Sequence, residues 1–271
     1  MNNISEILLS DFNDEENLIE YCNNCNEPLQ TKVKILGKTR IMPIKCQCEL
    51  KKLKEEEAIK QKQKLEREMD DLIYSGLMDR KYLSNTFEND NMNNPTITNI
   101  CKKYVENWEQ MKQENIGILL YGDVGLGKTY YACAIVNELF KNGVSVCVTS
   151  FPKIINKITN FDNESKVLLE KMQTKSLLVI DDLGVERNTE FALEQMFTII
   201  NDRLMSNLPV IITTNLDLEE IKNETNINKK RIYDRILEMC PVALYITSQN
   251  KKSERQARAK IKTELARKIL L

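Results

Sequence analysis

Eight consecutive residues, Gly122-Asp123-Val124-Gly125-Leu126-Gly127-Lys128-Thr129, fit the pattern G-x-x-x-x-G-K-[ST]. The residue types carry the chemistry. Glycine lets successive backbone N–H groups turn inward and cradle phosphate oxygens. A helix opening just after the loop, with Tyr130 in its first turn, adds partial positive charge at its amino end. Lys128 can reach the β- and γ-phosphates of ATP, and the Thr129 hydroxyl can sit on Mg²⁺. A second pair, Asp181-Asp182, ends an apolar run. Asp181 there would hold Mg²⁺ through water, and Asp182 would polarise the attacking water in place of the usual Glu. Asn215 ends another apolar run and can help position that water.

A different chemistry is written in four cysteines. Cys22 and Cys25 form one pair, and Cys46 and Cys48 a second, twenty residues on. Between them, 33–36 and 40–44 flank Gly37-Lys38 and read as a β-hairpin. Two cysteine pairs held by a hairpin are what a tetrahedral Cys₄ zinc site of the ribbon type requires. Four protein ligands leave no open position for water, so the zinc would be structural. A unit this small has too little core to fold unaided, and Zn²⁺ would stabilise it by roughly 10–16 kcal/mol. Two disulfides or four free thiols are the alternatives, and disulfides fit a cytosolic chain poorly. Cys133 and Cys147 lie in apolar periodic stretches and read as core.

These groups need a scaffold, and the hydrophobic pattern supplies one. Segments 116–121, 144–149, 176–184, 209–215 and 242–247 are short apolar runs bounded by turn signals, which predicts five strands of a buried parallel sheet. Helical spacing recurs over 130–141 and 191–205 and, upstream of the first of these strands, over 98–112. Residues 49–77 are rich in Lys, Glu and Gln without proline, which predicts a solvated helix joining the cysteine module to the core. Residues 81–90 read as a polar connection with three apolar anchors. The predicted organisation is a zinc-binding module at 1–49, a charged helical linker at 50–80 and an ATPase domain at 81–271. The fold class is α/β: a P-loop core with a five-stranded parallel sheet flanked by helices.

Composition narrows the rest. The chain has 271 residues, no histidine and a formal net charge of −1. The missing histidine excludes His-based catalysis and His metal ligands. The near-neutral charge gives no global field toward nucleic acid. The first twenty residues are acidic and the last twenty basic. No basic-then-apolar leader opens the sequence, and no apolar run approaches the ~18 residues of a membrane span, so the expectation is a cytoplasmic protein.

From Asn85 onward the sequence resembles the DnaC/DnaI-type replicative helicase loaders, a branch of the AAA+ ATPases. The resemblance rests on Asn85-Thr86-Phe87, the loop at 122–129, the run 177–184, Thr213-Thr214-Asn215, and Arg231-Ile232-Tyr233-Asp234-Arg235-Ile236. It covers about two-thirds of the chain. An N-terminal cysteine module and charged helix also resemble the DnaI-type and phage-encoded loaders. The resemblance implies an ATP switch acting in a homo-oligomer formed on ATP binding. The N-terminal part would grip a hexameric replicative helicase of the DnaB/DnaC type. It implies single-stranded DNA as a further partner, through basic residues of 229–235 and 251–268. It implies Asn215 at the sensor 1 position, Arg235 as an arginine finger with Arg231 as the alternative, and Arg255 at the sensor 2 position.

Other readings remain open on the sequence. An IstB-type transposition helper shares this core and would bind duplex DNA and a transposase. A small-molecule P-loop kinase would need a phosphoacceptor pocket, and the Asp-Asp pair followed by a strand ending in Asn argues against it. Asp182 in place of Glu leaves room for an ATP-binding adaptor with negligible turnover.

Overall fold

The structure is a computed structural model that describes residues 19–35, 37–90, 94–159, 163–185 and 189–247. The expected acidic arm at 1–20, apart from its last two residues, and the basic segment from 251 lie outside the described residues, as does Arg255. The chain divides into two compact units, with the boundary between Gln63 and Lys64.

The first unit is built on an antiparallel hairpin, β1 (Gln30–Ile35) and β2 (Lys38–Pro43). Gly37 turns between them at φ 80°, a left-handed value glycine adopts without a Cβ clash. Every residue of β2 is exposed, so the hairpin has no apolar core of its own. The helix α1 (Gln47–Tyr74) starts inside the second cysteine pair.

The second unit takes the end of α1. Its last turns bury Leu65, Met69 and Leu72. The helix predicted as solvated is therefore amphipathic at its carboxyl end, where the apolar stripe becomes regular. Lys175, itself buried, pairs there with Glu68. The connection that follows is not a polar loop. Leu77 and Met78 are buried, and two short 3₁₀ turns, Arg80–Ser84 and Phe87–Asn89, follow.

The helix predicted over 98–112 is two helices, α2 (Pro95–Glu106) and α3 (Trp108–Gln113). It starts early because Asn94 caps it, accepting from the Ile97 N–H, with Pro95 in the first turn. It breaks at Asn107, whose side-chain amide donates back to the Lys103 carbonyl at 2.7 Å.

The core is a five-stranded sheet in which every pairing is parallel. Its strands are β3 (Ile118–Tyr121), β4 (Val146–Thr149), β5 (Leu177–Leu183), β6 (Val210–Thr214) and β7 (Val242–Tyr245). They lie in the order β4-β5-β6-β3-β7. The helices between them are α4 (Lys128–Lys141), α5 (Phe151–Thr159), α6 (Asn163–Gln173), α7 (Glu190–Met205), α8 (Leu218–Lys222) and α9 (Ile227–Met239). The three central strands are buried almost throughout, as expected for parallel strands covered on both faces. Cys133 and Cys147 are buried, as read from the sequence. At the foot of β3, a Cβ on Gly117 would fall 2.1 Å from the Val210 carbonyl oxygen, so only glycine lets the chain enter the sheet there.

Arg203 on α7 is fully buried. Its guanidinium donates to the carbonyls of Gln173, Lys175, Ser176 and Pro209 at 2.6–3.1 Å. It staples the turns that feed β5 and β6. Burial lowers its pKa to about 10, which leaves it charged at neutral pH.

Candidate functional site

The order of the strands puts β6 between β3, which leads into the Gly-rich loop, and β5, which ends in the Asp pair. The three strands are parallel, so their carboxyl ends converge on one edge of the sheet. This is where α/β sheets form their ligand crevice.

The loop turns back on three left-handed glycines, Gly122, Gly125 and Gly127. At Gly122 the need is absolute. Its φ is 130°, and a Cβ would meet the Ile246 carbonyl oxygen at 2.6 Å. Asp123 and Val124 form the exposed tip, with Leu126 partly buried. The first helical residue of α4 is Lys128, two positions earlier than predicted. Its Nζ donates to the carbonyls of Gly122 and Asp123 at 2.8 and 2.7 Å, which ties the loop to the helix. Burial lowers the Lys128 pKa, opposed by the nearby carboxylates of Asp182, Asp123 and Asp181. Tyr130 donates from its hydroxyl to the Thr86 carbonyl at 2.6 Å, linking α4 to the upstream 3₁₀ turn.

Asp181 is buried and accepts three hydroxyl hydrogen bonds. Thr129 and Thr213 donate to its Oδ1 at 2.7 and 2.6 Å. Tyr82 donates to Oδ2 at 3.2 Å. Thr129 comes from the loop, Thr213 from β6 and Tyr82 from the segment before the sheet. Burial, then the Asp181 charge, raises the Tyr82 pKa, so the phenol stays protonated and acts as a donor.

Asp182 has a different setting. The β5–β6 register slips between Ile180 and Leu183, so the strand bulges at the two acids. Asp182 takes φ 56°, a left-handed value that costs a non-glycine residue of order 1–3 kcal/mol. Two threonines of β6 hold the bulge. Thr213 accepts from the Asp182 N–H at 2.9 Å, and Thr214 donates to the Leu183 carbonyl at 2.8 Å. The bulge re-aims the second carboxylate, leaving one acid buried and the other half-exposed. Burial, then Asp181, raises the Asp182 pKa, against the pull of Lys128.

The other expected residues fall into two groups. Asn215 is exposed one residue beyond β6, at the edge where the loop and the Asp pair meet. Arg231 and Arg235 lie one turn apart on α9, as their spacing predicts. The structure places them on the Phe197 ring of α7, with guanidinium carbons 4.4 and 5.2 Å from its centroid. A cleft of about 250 Å³ lined by Glu190, Phe197, Asn228 and Arg231 opens beside them.

Sequence reasoning missed Tyr82 and Thr213. Two adjacent threonines before Asn215 were the available sign of hydroxyls at a strand tip. Tyr82 gave none, because it read as an apolar anchor.

In the first unit the sulfurs of Cys22, Cys25, Cys46 and Cys48 all lie within 4.8 Å of one another. Cys48 lies 3.5 Å from both Cys22 and Cys46. A tetrahedral zinc with bonds of about 2.3 Å would set its sulfurs roughly 3.8 Å apart, so the cluster fits the ion. The turn after Cys22 is closed by the Asn26 N–H donating to the Cys22 carbonyl at 2.8 Å, with Asn26 at φ 55°. Glu27 accepts from the Gln47 N–H at 2.6 Å and so ties the first pair to the second. Backbone N–H groups of Asn24 and Cys25 pull the Cys22 thiol down to about 6, while the neighbouring sulfurs push Cys48 up to about 12, so a bound metal would have to displace protons from the cluster.

Comparison with known proteins bears on the family and the fold. Residues 49–259 match the family described as IstB-like ATP binding protein. Among curated relatives, the replicative helicase loader DnaI of Bacillus subtilis is 24% identical over 238 residues, covering 80% of this chain and 71% of that protein. The phage-like element PBSX protein XkdC of Bacillus subtilis is 33% identical, covering 54% of this chain and 56% of its own length. The helicase loader DnaC of Escherichia coli is 29% identical, covering 50% and 55%. The chain thus spans little more than half the length of the last two. A crystal structure of DnaI superimposes with a TM-score of 0.55 at 26% identity, over 63% of this chain and 95% of that one. The DnaC helicase loader structure agrees in fold, with a TM-score of 0.52 at 22% identity over 62% of this chain and 99% of that one. With the match extending over most of its length, the chain belongs to the IstB-like ATP-binding protein family, as a P-loop ATPase of AAA+ fold similar to the DnaC and DnaI helicase loaders.

Proposed function

We propose that this protein is a cytoplasmic, ATP-dependent loader of a replicative DNA helicase. The observation that carries the reading is the similarity to DnaI over four-fifths of the chain. The organisation carried from the sequence is a helicase-binding module at 1–49, a linker at 50–80 and an ATPase domain from 81. Cys22, Cys25, Cys46 and Cys48 hold a structural Zn²⁺, supported by their mutual distances.

In the ATPase core the loop at 122–129 binds the phosphates of ATP, with Lys128 turned from its carbonyl partners to the phosphate oxygens. Thr129 and Asp181 would hold Mg²⁺, which would supply positive charge against the phosphate oxygens. Asp182, re-aimed by the bulge, orients the attacking water and accepts its proton, and Asn215 steadies that water. Arg235, with Arg231 as the alternative, acts on the nucleotide of a neighbouring subunit. A finger supplied in trans contributes roughly 10³–10⁵ in rate in other P-loop enzymes. The loaded assembly is a homo-oligomer that also contacts single-stranded DNA through the basic start of α9.

The test is co-elution with the replicative helicase of the same source, with and without Mg-ATP. A stable complex is expected. Deletion through Gln63 abolishes it, and that boundary spares the buried Leu65, Met69 and Leu72. Lys128→Ala keeps the complex and removes its response to ATP. Absence of a complex in either condition overturns the loader reading in favour of a transposition helper, for which duplex DNA binding is the direct assay.

A further inference from the structure

The ordering of the segment before the sheet leads to one residue. Tyr82 is buried, and its backbone is held by α4, the helix that opens at Lys128. Asn137 of α4 donates to the carbonyls of both Tyr82 and Asn85, at 2.8 and 2.7 Å. Leu77 and Met78 bury the preceding turn. Four residues after Tyr82, Thr86 is held by the Tyr130 hydroxyl. A side chain anchored from both sides presents its hydroxyl to Asp181 Oδ2 from a fixed place.

The other two donors, Thr129 and Thr213, share Oδ1. A carboxylate held only through one oxygen keeps freedom to rotate about its last bond. The donor on the second oxygen removes that freedom. Its importance grows when Thr129 turns to Mg²⁺, because Thr213 and Tyr82 then remain, one on each oxygen.

We propose that Tyr82 is a positioning residue for the magnesium-binding carboxylate of Asp181, which makes the connector between α1 and the sheet part of the nucleotide site. The proposal rests on the reading of Asp181 as the Mg²⁺ ligand. It predicts that Mg²⁺ affinity, rather than nucleotide affinity as such, depends on a hydroxyl outside every phosphate-binding motif.

The experiment titrates Mg²⁺ against binding of a fluorescent ATP analogue to the full chain, for wild type, Tyr82→Phe and Asp181→Asn. Phe keeps the buried ring and removes only the donor. For a hydrogen bond to a charged acceptor, the Mg²⁺ midpoint of Tyr82→Phe rises roughly tenfold or more. Binding measured in EDTA is unchanged, and the melting temperature falls by only a few degrees. Asp181→Asn removes the Mg²⁺ dependence. A Tyr82→Phe midpoint within twofold of wild type, with Asp181→Asn still abolishing the dependence, overturns the proposal and leaves the Asp181 reading intact. If Asp181→Asn titrates like wild type, the Asp181 reading itself has failed.

Discussion

The two candidate ligand sites are built by opposite routes. At the nucleotide site the protein supplies the order. Asp181 is buried, held by three hydroxyls from three separate segments, beside a sheet whose central strands are closed to solvent. At the cysteine site the hairpin is exposed along the whole of β2, and the turns around the sulfurs are closed by backbone hydrogen bonds such as Cys22 N–H to the Glu27 carbonyl and Asn26 N–H to the Cys22 carbonyl. A large core can pre-position ligands before any ligand arrives. A module of this size needs the ligand to act as its core.

The sharpest way to break that contrast is to remove one ligand from each unit. Cys25→Ser leaves three sulfurs for a four-coordinate ion. The expected outcome is loss of bound zinc by elemental analysis and of structure across 19–46, at an apparent cost of up to about 10–16 kcal/mol. The second unit, with its own core, keeps its melting temperature and its ATP binding. Full zinc content in Cys25→Ser would show that the four thiols are not the site.

The second unit should lose stability by degrees instead. Arg203→Met keeps much of the side chain's volume but leaves four carbonyls without their donor, those of Lys175 and Pro209 at buried bonds. An acceptor left buried without its donor costs about 1–3 kcal/mol, so the two at buried bonds together cost about 2–6 kcal/mol, or roughly 4–24 °C in melting temperature for a unit this large. Below the transition, ATP affinity stays at the wild-type value, because the staple lies at the feet of β5 and β6 and the nucleotide site at the opposite ends. A Tm within about 2 °C of wild type would mean that water replaces the guanidinium at the carbonyls.

What the sequence disclosed divides along the same line as the chemistry. The loop at 122–129, the Asp pair and the five strands were legible because each is local: an apolar run, a turn residue and a charged tip within ten positions. The cysteine cluster was legible because only sulfur spacing was needed. The missed features are contacts across long separations. Tyr82 meets Asp181 across 99 positions, and Asn137 reaches back 52 and 55 positions to Asn85 and Tyr82. Arg203 sits on an amphipathic helix where an arginine ordinarily faces water, and only the assembled turns of two strands reveal its partners. The i,i+4 spacing put Arg231 and Arg235 on one face of α9, while Phe197, which both cover, is unforeseeable from α9 alone. The break at Asn107 was hidden because the apolar face of α2 continues through Trp108.

The smallest expected effect concerns the second acid, where stability and chemistry oppose each other. Burial and the Asp181 charge raise the Asp182 pKa above its ordinary value of 3.8. A carboxyl whose pKa is raised on folding favours the folded state fully below its unfolded pKa. That contribution is lost as pH rises through the folded value. At neutral pH the ionised Asp182 is therefore a small burden on the fold, added to its left-handed backbone. Asp182→Asn should melt slightly higher than wild type near pH 7, with the difference vanishing in acid. Hydrolysis moves the other way. A water-orienting base must be ionised, so turnover by wild type falls roughly tenfold per pH unit below the pKa that Asp182 has in the Mg-ATP complex, while ATP binding falls less. Turnover by Asp182→Asn is flat at background across the same range. A variant that melted lower at neutral pH would show that the Asp182 carboxylate makes a compensating contact. A pH profile identical in wild type and variant would move the catalytic role to another group at the sheet edge.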